Sequence, residues 1–231
     1  MSQKPMSAAP TSRVALVTGA SRGIGLAIAN ALRSRGDTVL APGRAELDLG
    51  SNNSVASWLA HPRPPVDILV NNAGENPIGP LDSVTLETWQ RALSVNLTAP
   101  FLLLQHLSRE MRTRKWGRVI NISSCYSLAT RTGRAPYGAA KAGLNSLTRS
   151  AALEFAPDGV LVNSICPGFV ETDLTRRNNT PEQIRALAAQ VPLGRLAQPD
   201  EVARLVCFLA SAENTYMTGQ TVVIDGGFLL Q

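Results

Sequence analysis

Tyr137 and Lys141 stand four residues apart in the stretch APYGAAKAGLNSL, residues 135 to 147. On a helix, positions i and i+4 lie one above the other on a single face, so a phenol and an ammonium can reach a common point. A phenol with its ordinary pKa near 10 is a poor base at neutral pH. An ammonium held at ~4 Å in an effective dielectric of ~20 contributes roughly 4 kcal/mol, or about 3 pKa units. That would bring the Tyr137 hydroxyl toward neutrality and let it exchange a proton with an oxygen of a bound molecule. The spacing alone equally describes a half-buried aromatic beside a surface lysine, so the chemistry depends on what the rest of the chain brings to the pair. Gly138, Ala139, Ala140, Ala142 and Gly143 leave room around it for a ligand or for a second helix.

The elements that must position this pair follow from hydrophobic patterning. RVALVTG (13 to 19), TVLAPGR (38 to 44), VDILVNNAG (66 to 74), GRVINISS (117 to 124), VLVNSICPG (160 to 168) and TVVIDGG (221 to 227) are short, nearly continuous apolar runs that close on small or polar residues. Strands buried on both faces read this way. Residues 23 to 36, 84 to 113, 136 to 156 and 199 to 211 carry helical spacing. This alternation predicts an α/β fold, a Rossmann-like doubly wound parallel sheet with helices on both faces, whose ligands bind beyond the carboxyl ends of the strands. Residues 173 to 198, rich in Arg, Asn, Gln and Thr, interrupt the alternation after a strand end and are expected to form a substrate loop.

TGASRGIG (18 to 25) joins the first strand to the first helix. Gly19 permits a tight turn, Gly23 lets backbone approach a pyrophosphate, and Gly25 allows close helix–strand packing, although the spacing is not GxGxxG. The helix N-terminus beyond offers free N–H groups and a partial positive charge to phosphates. Between a strand and a helix, such a turn points to a dinucleotide. The second strand ends in Gly43-Arg44 with no acid at the position that reads the ribose, and Arg22 lies inside the turn. Two guanidiniums suit a 2′-phosphate, which favours NADP(H). Glu46 and Asp48 lie close enough downstream to keep NAD(H) open.

At 231 residues the chain suits one domain, here residues 13 to 231, preceded by a disordered tail over 1 to 12. With 44% hydrophobic and 17% charged residues it is too apolar for extensive disorder. The net charge of +5 comes mainly from scattered arginines with no basic stripe, which argues against nucleic acid. Cys125, Cys166 and Cys207 are odd in number and form no CxxC pair, so reduced thiols, no metal site and a cytoplasmic location are expected. The opening MSQKPMSAAPTS lacks the apolar core of a secretion signal and no run approaches a membrane span, so no membrane is expected.

TGASRGIG, the NNAG of 71 to 74, Asn96, Ser124, the YGAAK of 137 to 141, the PG of 167 and 168 and a closing DGG occur in order along residues 13 to 228. Together they resemble the short-chain dehydrogenase/reductase family. The resemblance implies about seven strands, a nicotinamide cofactor and interconversion of an alcohol and a carbonyl. It assigns Tyr137 as the acid/base, Lys141 as its partner, Ser124 as the hydroxyl that orients the substrate oxygen, and Asn96 as support for a water-linked proton relay to Lys141. Ser123, its neighbour on the strand, should face the opposite side. Cofactor contacts are implied for Gly19, Ser21, Arg22, Gly23, Ile24 and Gly25 in the turn, and for Arg44, Asp48 and Leu49 after the second strand. Asn71, Ala73 and Gly74, then Tyr137 and Lys141, and finally Pro167, Gly168, Val170 and Thr172 complete the set. One departure is the short route from Arg44 to Asp48-Leu49, where many relatives carry a full helix.

The stretch from Pro167 to Ser211 is most similar to bacterial 3-oxoacyl-[acyl-carrier-protein] reductases, with Arg176, Arg131 and Arg134 as cations that could meet an acidic carrier. A reductase or dehydrogenase of a sugar, cyclic ketone or specialised metabolite is the alternative within the same chemistry. A catalytically idle dinucleotide-binding regulator is the alternative of another class, and the joint presence of Asn96, Ser124, Tyr137 and Lys141 speaks against it. The family's use of this helix and the preceding long one for subunit contacts implies a homotetramer.

Overall fold

The computed structural model describes residues 12 to 230, so the expected tail lies, apart from Ser12, outside the described residues. The chain runs β1 (Val14–Val17), α1 (Gly23–Ser34), β2 (Thr38–Leu40), α2 (Asn52–Ala60), β3 (Ile68–Asn71), α3 (Leu86–Leu93), α4 (Ala99–Thr113) and β4 (Gly117–Ile122). It continues through α5 (Ala135–Phe155), β5 (Val160–Pro167), α6 (Asp173–Asn178), α7 (Pro181–Ala188), α8 (Pro199–Leu209) and β6 (Thr221–Ile224). The strands form one parallel sheet in the order β2-β1-β3-β4-β5-β6. The chain leaves β1 in one direction to β2 and then returns to the other side of β1 for β3, so the switch point lies between the ends of β1 and β3.

Alternate strand residues feed two cores. Leu16, Leu69 and Val119 pack with Leu103, Leu107 and Met111 of α4 and Ala151 and Phe155 of α5. Ala15, Val17, Ile68, Val70 and Ile120 pack with Ile28 and Leu32 of α1 and Val202 and Val206 of α8. Helices therefore cover both faces, and the apolar runs are continuous because neither face of a strand meets water. No helix among the described residues is long and apolar enough to cross a membrane.

The described residues form six strands, one fewer than the approximate seven of the resemblance. At the β2 edge of the sheet the chain takes a short route. Residues 41 to 51 turn back at once, with the Gly43 amide donating to Glu46 Oε2 at 2.9 Å, and sink Leu47 and Leu49 into the α4 core. The chain then enters α2, capped by Ser51 Oγ accepting the Ser54 amide. Helical spacing alone did not announce α2.

The helical stretch expected over 84 to 113 is interrupted by a π-helical turn at Ser94–Thr98. Residues 173 to 198 are not an open loop but carry α6 and α7, the latter started by a reciprocal cap between Thr180 and Gln183.

Candidate active site

A cleft of about 790 Å³ opens at the switch point, along the carboxyl ends of β1, β3, β4 and β5. Its floor is tied together by side chains at the strand ends. Thr18 Oγ1 accepts from the Asn72 and Ala73 amides at 3.0 and 3.1 Å, while Asn72 Nδ2 donates to the Thr18 and Gly19 carbonyls. Gly19 and Gly23 hold the left-handed φ values of +66° and +55°, which only glycine adopts at little cost. A Cβ on Gly19 would lie 2.8 Å from Ala73 Cα, and one on Gly25 only 2.2 Å from the Gly19 carbonyl oxygen. The first turn of α1 contains no acid, and among the described residues no side chain caps it. Bare backbone and uncapped N–H groups at a helix start fit a pyrophosphate.

Ser21, Arg22, Ile24, Arg44, Asp48, Leu49, Ala73, Gly74, Pro167, Gly168, Val170 and Thr172 line this cleft together with the turn glycines, Tyr137 and Lys141. Arg44 lies at the end near β2, mostly exposed and 3.7 Å from Asp48, and Arg22 lies in the turn just before α1. Asp48 Oδ1 accepts the Gly50 amide at 3.0 Å, so the carboxylate is part of the short turn as well as of the wall. Thr172 closes the opposite wall, its methyl 3.3 Å from where a Gly23 Cβ would be.

Asn71 departs from expectation. It does not line the cleft but is buried inside the sheet, donating from Nδ2 to Asn121 Oδ1 at 2.8 Å, and Asn121 in turn donates to Thr148 of α5. It braces β3 against β4 and α5. The cleft asparagine is Asn72, which the motif reading passed over together with Thr18. Position in the strand was the missing signal, since Asn71 is the last residue of β3 with its side chain held inside the sheet, and Asn72 is the first residue past it.

At the other end, Ser124, Tyr137 and Lys141 converge. Ser124 Oγ accepts the Tyr126 amide at 3.2 Å and is near enough to the Tyr137 hydroxyl to act on its acidity, while Ser123 turns away to donate to the Lys141 carbonyl. The serine loop is pinned from α5, as Asn145 Nδ2 donates to Ser127 Oγ and Ser127 donates to the Ser124 carbonyl. Lys141 is buried, donates to the Ile122 carbonyl at 2.8 Å, and lies 5.6 Å from the centre of the Tyr137 ring.

The electrostatics correct the expectation of a lowered phenol. Burial pushes the Tyr137 hydroxyl up to about 12, with the Ser124 hydrogen bond and the Arg134 charge acting in the opposite sense. Burial also pushes Lys141 down to about 8. Attraction to Lys141 alone would lower the phenol, but desolvation raises the half-buried phenol and lowers the buried amine. Tyr137 is thus a neutral phenol at neutral pH in this arrangement.

Asn96 lies in the π-helical turn and is fully buried. Nδ2 donates to the Glu75 carbonyl at 2.8 Å and to the Ala92 carbonyl at 2.9 Å, which fixes the amide orientation. Oδ1 has no partner among the described residues. A Cβ on Gly74 would stand 2.8 Å from Asn96 Oδ1 and 3.6 Å from Lys141 Nζ, so the two polar atoms face one small space that only a glycine leaves open. A buried acceptor without a partner beside an ammonium is the geometry a bridging water satisfies.

A family model described as Enoyl-(Acyl carrier protein) reductase matches residues 45 to 229. The chain is 41% identical to a 3-oxoacyl-[acyl-carrier-protein] reductase of Vibrio cholerae, over 94% of this chain and 98% of that protein. It is 39% identical to an acetoacetyl-CoA reductase of Shinella zoogloeoides, with the same coverage of 94% and 98%. Among solved structures, a putative NAD(P)-dependent gluconate 5-dehydrogenase from Beutenbergia cavernae with bound NADP superposes with a TM-score of 0.88 at 34% identity, covering 96% of this chain and 100% of that one. The glycine-lined cleft, the Ser124–Tyr137–Lys141 cluster and these matches agree, and the chain belongs to the short-chain dehydrogenase/reductase family of oxidoreductases.

Proposed function

We propose that the protein is an NADP(H)-dependent reductase that converts the carbonyl of a 3-oxoacyl thioester to a secondary alcohol. The observation that carries the reading is the neutral phenol of Tyr137, set beside Ser124 and Lys141 in a cleft that Arg22 and Arg44 also line. When bound there, the nicotinamide cofactor supplies or takes the hydride. Ser124 orients the carbonyl oxygen and stabilises the charge that develops on it. Tyr137 donates its hydroxyl proton to that oxygen as the alcohol forms. Lys141 steadies the resulting phenolate, and its proton is replaced through a water held by Asn96 Oδ1.

Arg22 and Arg44 favour NADP(H) over NAD(H), because a 2′-phosphate needs cations where a free ribose needs a carboxylate. The 3-oxoacyl and acetoacetyl thioester reductases among the relatives support the substrate class, and the NADP in the related structure supports the cofactor. Arg131 and Arg134 line the substrate end, where they suit the anionic groups of coenzyme A or of an acyl carrier protein. A second reading, a keto sugar acid, is favoured by the same two guanidiniums and by the gluconate dehydrogenase likeness. A homotetramer joined through α4 and α5 completes the proposal; these helices expose Phe101 and Leu153.

Oxidation of NADPH and of NADH followed with acetoacetyl-CoA, longer 3-oxoacyl thioesters and 5-keto-gluconate is the test. Turnover of a thioester with NADPH preferred at least tenfold is expected. Inactivity on every thioester would falsify the substrate assignment, and preference for NADH would overturn the cofactor assignment.

A further inference from the structure

We infer that Arg91 and Glu75 form a positioning pair for the Asn96 amide, and so for proton resupply to Lys141 and Tyr137. The inference rests on the reading of Tyr137 as proton donor. Arg91 grips Glu75 with both arms of its fork, Nε to Oε2 at 2.8 Å and Nη2 to Oε1 at 2.6 Å. Such bidentate pairs fix direction as well as distance. Glu75 follows directly after Gly74, and its carbonyl takes one hydrogen of Asn96 Nδ2. The other hydrogen goes to the Ala92 carbonyl, one residue beyond Arg91. Both donors of the Asn96 amide are therefore bound to backbone that the Arg91–Glu75 pair clamps, and Oδ1 is left aimed at the space shared with Lys141 Nζ.

The pair also reaches the opposite end of the cleft. A Cβ on Gly50 would lie 2.5 Å from Arg91 Nη1, and the Asp48 charge acts on the same guanidinium. The short route after β2 thus leaves, at Gly50, the room beside which the Arg91 guanidinium sits. An ion pair that is more than a third exposed on each side adds little to stability. Holding a buried amide in one orientation is a role its geometry serves better than its energy does.

Arg91→Met removes the fork at a residue that does not itself line the cleft. Gly50→Ala perturbs it from behind, because the methyl would meet only the movable end of the Arg91 side chain. For Arg91→Met, kcat should fall about tenfold to a hundredfold, the scale of small misplacements behind a reacting group. The KM for NADPH should stay within about twofold and the solvent deuterium isotope effect on kcat should rise, since proton delivery becomes limiting. Gly50→Ala should move kcat and the isotope effect in the same direction by less, and Arg91→Lys should recover part of the loss. A crystal structure of Arg91→Met should show the Asn96 amide turned away from the Glu75 carbonyl. This readout needs no substrate, so it judges the pair even if no thioester turns over. An unchanged Asn96 in that structure overturns the inference, as does a fall in kcat with no change in the isotope effect.

Discussion

Ser124 and Lys141 are buried, and they are held between β4, buried along its whole length, and the inner face of α5. Across the cleft, α6 and α7 sit on the surface, and α7 contains no buried residue. The first region is crossed by hydrogen bonds between elements distant in sequence, such as Lys141 to Ile122 and Asn145 to Ser127. The second is held mainly by short-range bonds, such as Thr180 with Gln183 and Arg185 with Glu182. Proton transfer needs atoms fixed to a fraction of an ångström, whereas substrate choice can be rebuilt on exposed turns without disturbing the sheet. The same contrast explains why relatives with thioester and sugar-acid names share this framework.

If the buried end carries the chemistry, the largest effect should come from one oxygen atom there. Tyr137→Phe removes the hydroxyl but keeps the ring, so turnover should fall by about 10²–10⁴-fold, the range of a lost general acid. NADPH affinity, read by fluorescence titration, should change less than about twofold. A variant retaining a tenth of the wild-type rate would break the comparison, because the proton would then have another source.

Gly25→Ala tests the cofactor end of the same rigid half. The added methyl would lie 2.2 Å from the Gly19 oxygen and 2.4 Å from Asn72 Nδ2, so the turn or α1 must move. Overpacking of this kind costs about 1–3 kcal/mol, and the melting temperature should fall accordingly. NADPH affinity should drop at least tenfold, and normal binding would show that the turn has slack its contacts do not reveal.

The legibility of the sequence follows the same division. The six strands, α1 and the YGAAK helix could be read because buried parallel strands leave unbroken apolar runs and glycine marks the turn between them. The π-helical turn at Asn96 could not, since LSVNLT keeps ordinary helical spacing and the widening arises where Asn96 bonds backwards to Ala92 and sideways to Glu75. Asn71 and Asn72 are identical side chains one residue apart, and only the end of β3 decides which one meets the cleft. The direction of the Tyr137 shift was missed because a chain shows charges and their spacing but not how much water they lose.

The acidity of Lys141 gives a pH test of intermediate size. Its ammonium is present below about 8 and lost above it, so kcat/KM for carbonyl reduction should fall as pH rises through that value. Stability should move the other way. Folding favours the neutral amine, so between about 8 and the ordinary 10.5 the unfolded chain binds more protons. Stability contributed by this group therefore rises with pH across that window. Urea unfolding of the wild type and of Lys141→Met at pH 7 and pH 10 reads the slope directly. Equal slopes would mean that the buried amine is better solvated than its surroundings suggest.

The smallest effect belongs to the exposed region. Arg176 in α6 pairs with Glu171 at 3.0 Å, and its side chain is 60% exposed. Exposed pairs of this kind contribute about 0–1 kcal/mol, so Arg176→Ala should leave the melting temperature and NADPH affinity nearly unchanged. Its value lies in separating substrates. With a small keto acid or an acetoacetyl thioester of a short mercaptan, KM should stay within about twofold, because Arg176 itself does not line the cleft. With the same acyl group on an acyl carrier protein, the lost cation should raise KM several-fold, and more so at low salt, where surface charges act over longer distances. A KM that rises equally for the small thioester would place Arg176 among the groups that grip the substrate itself, and α6 would then belong with the fixed half of the cleft.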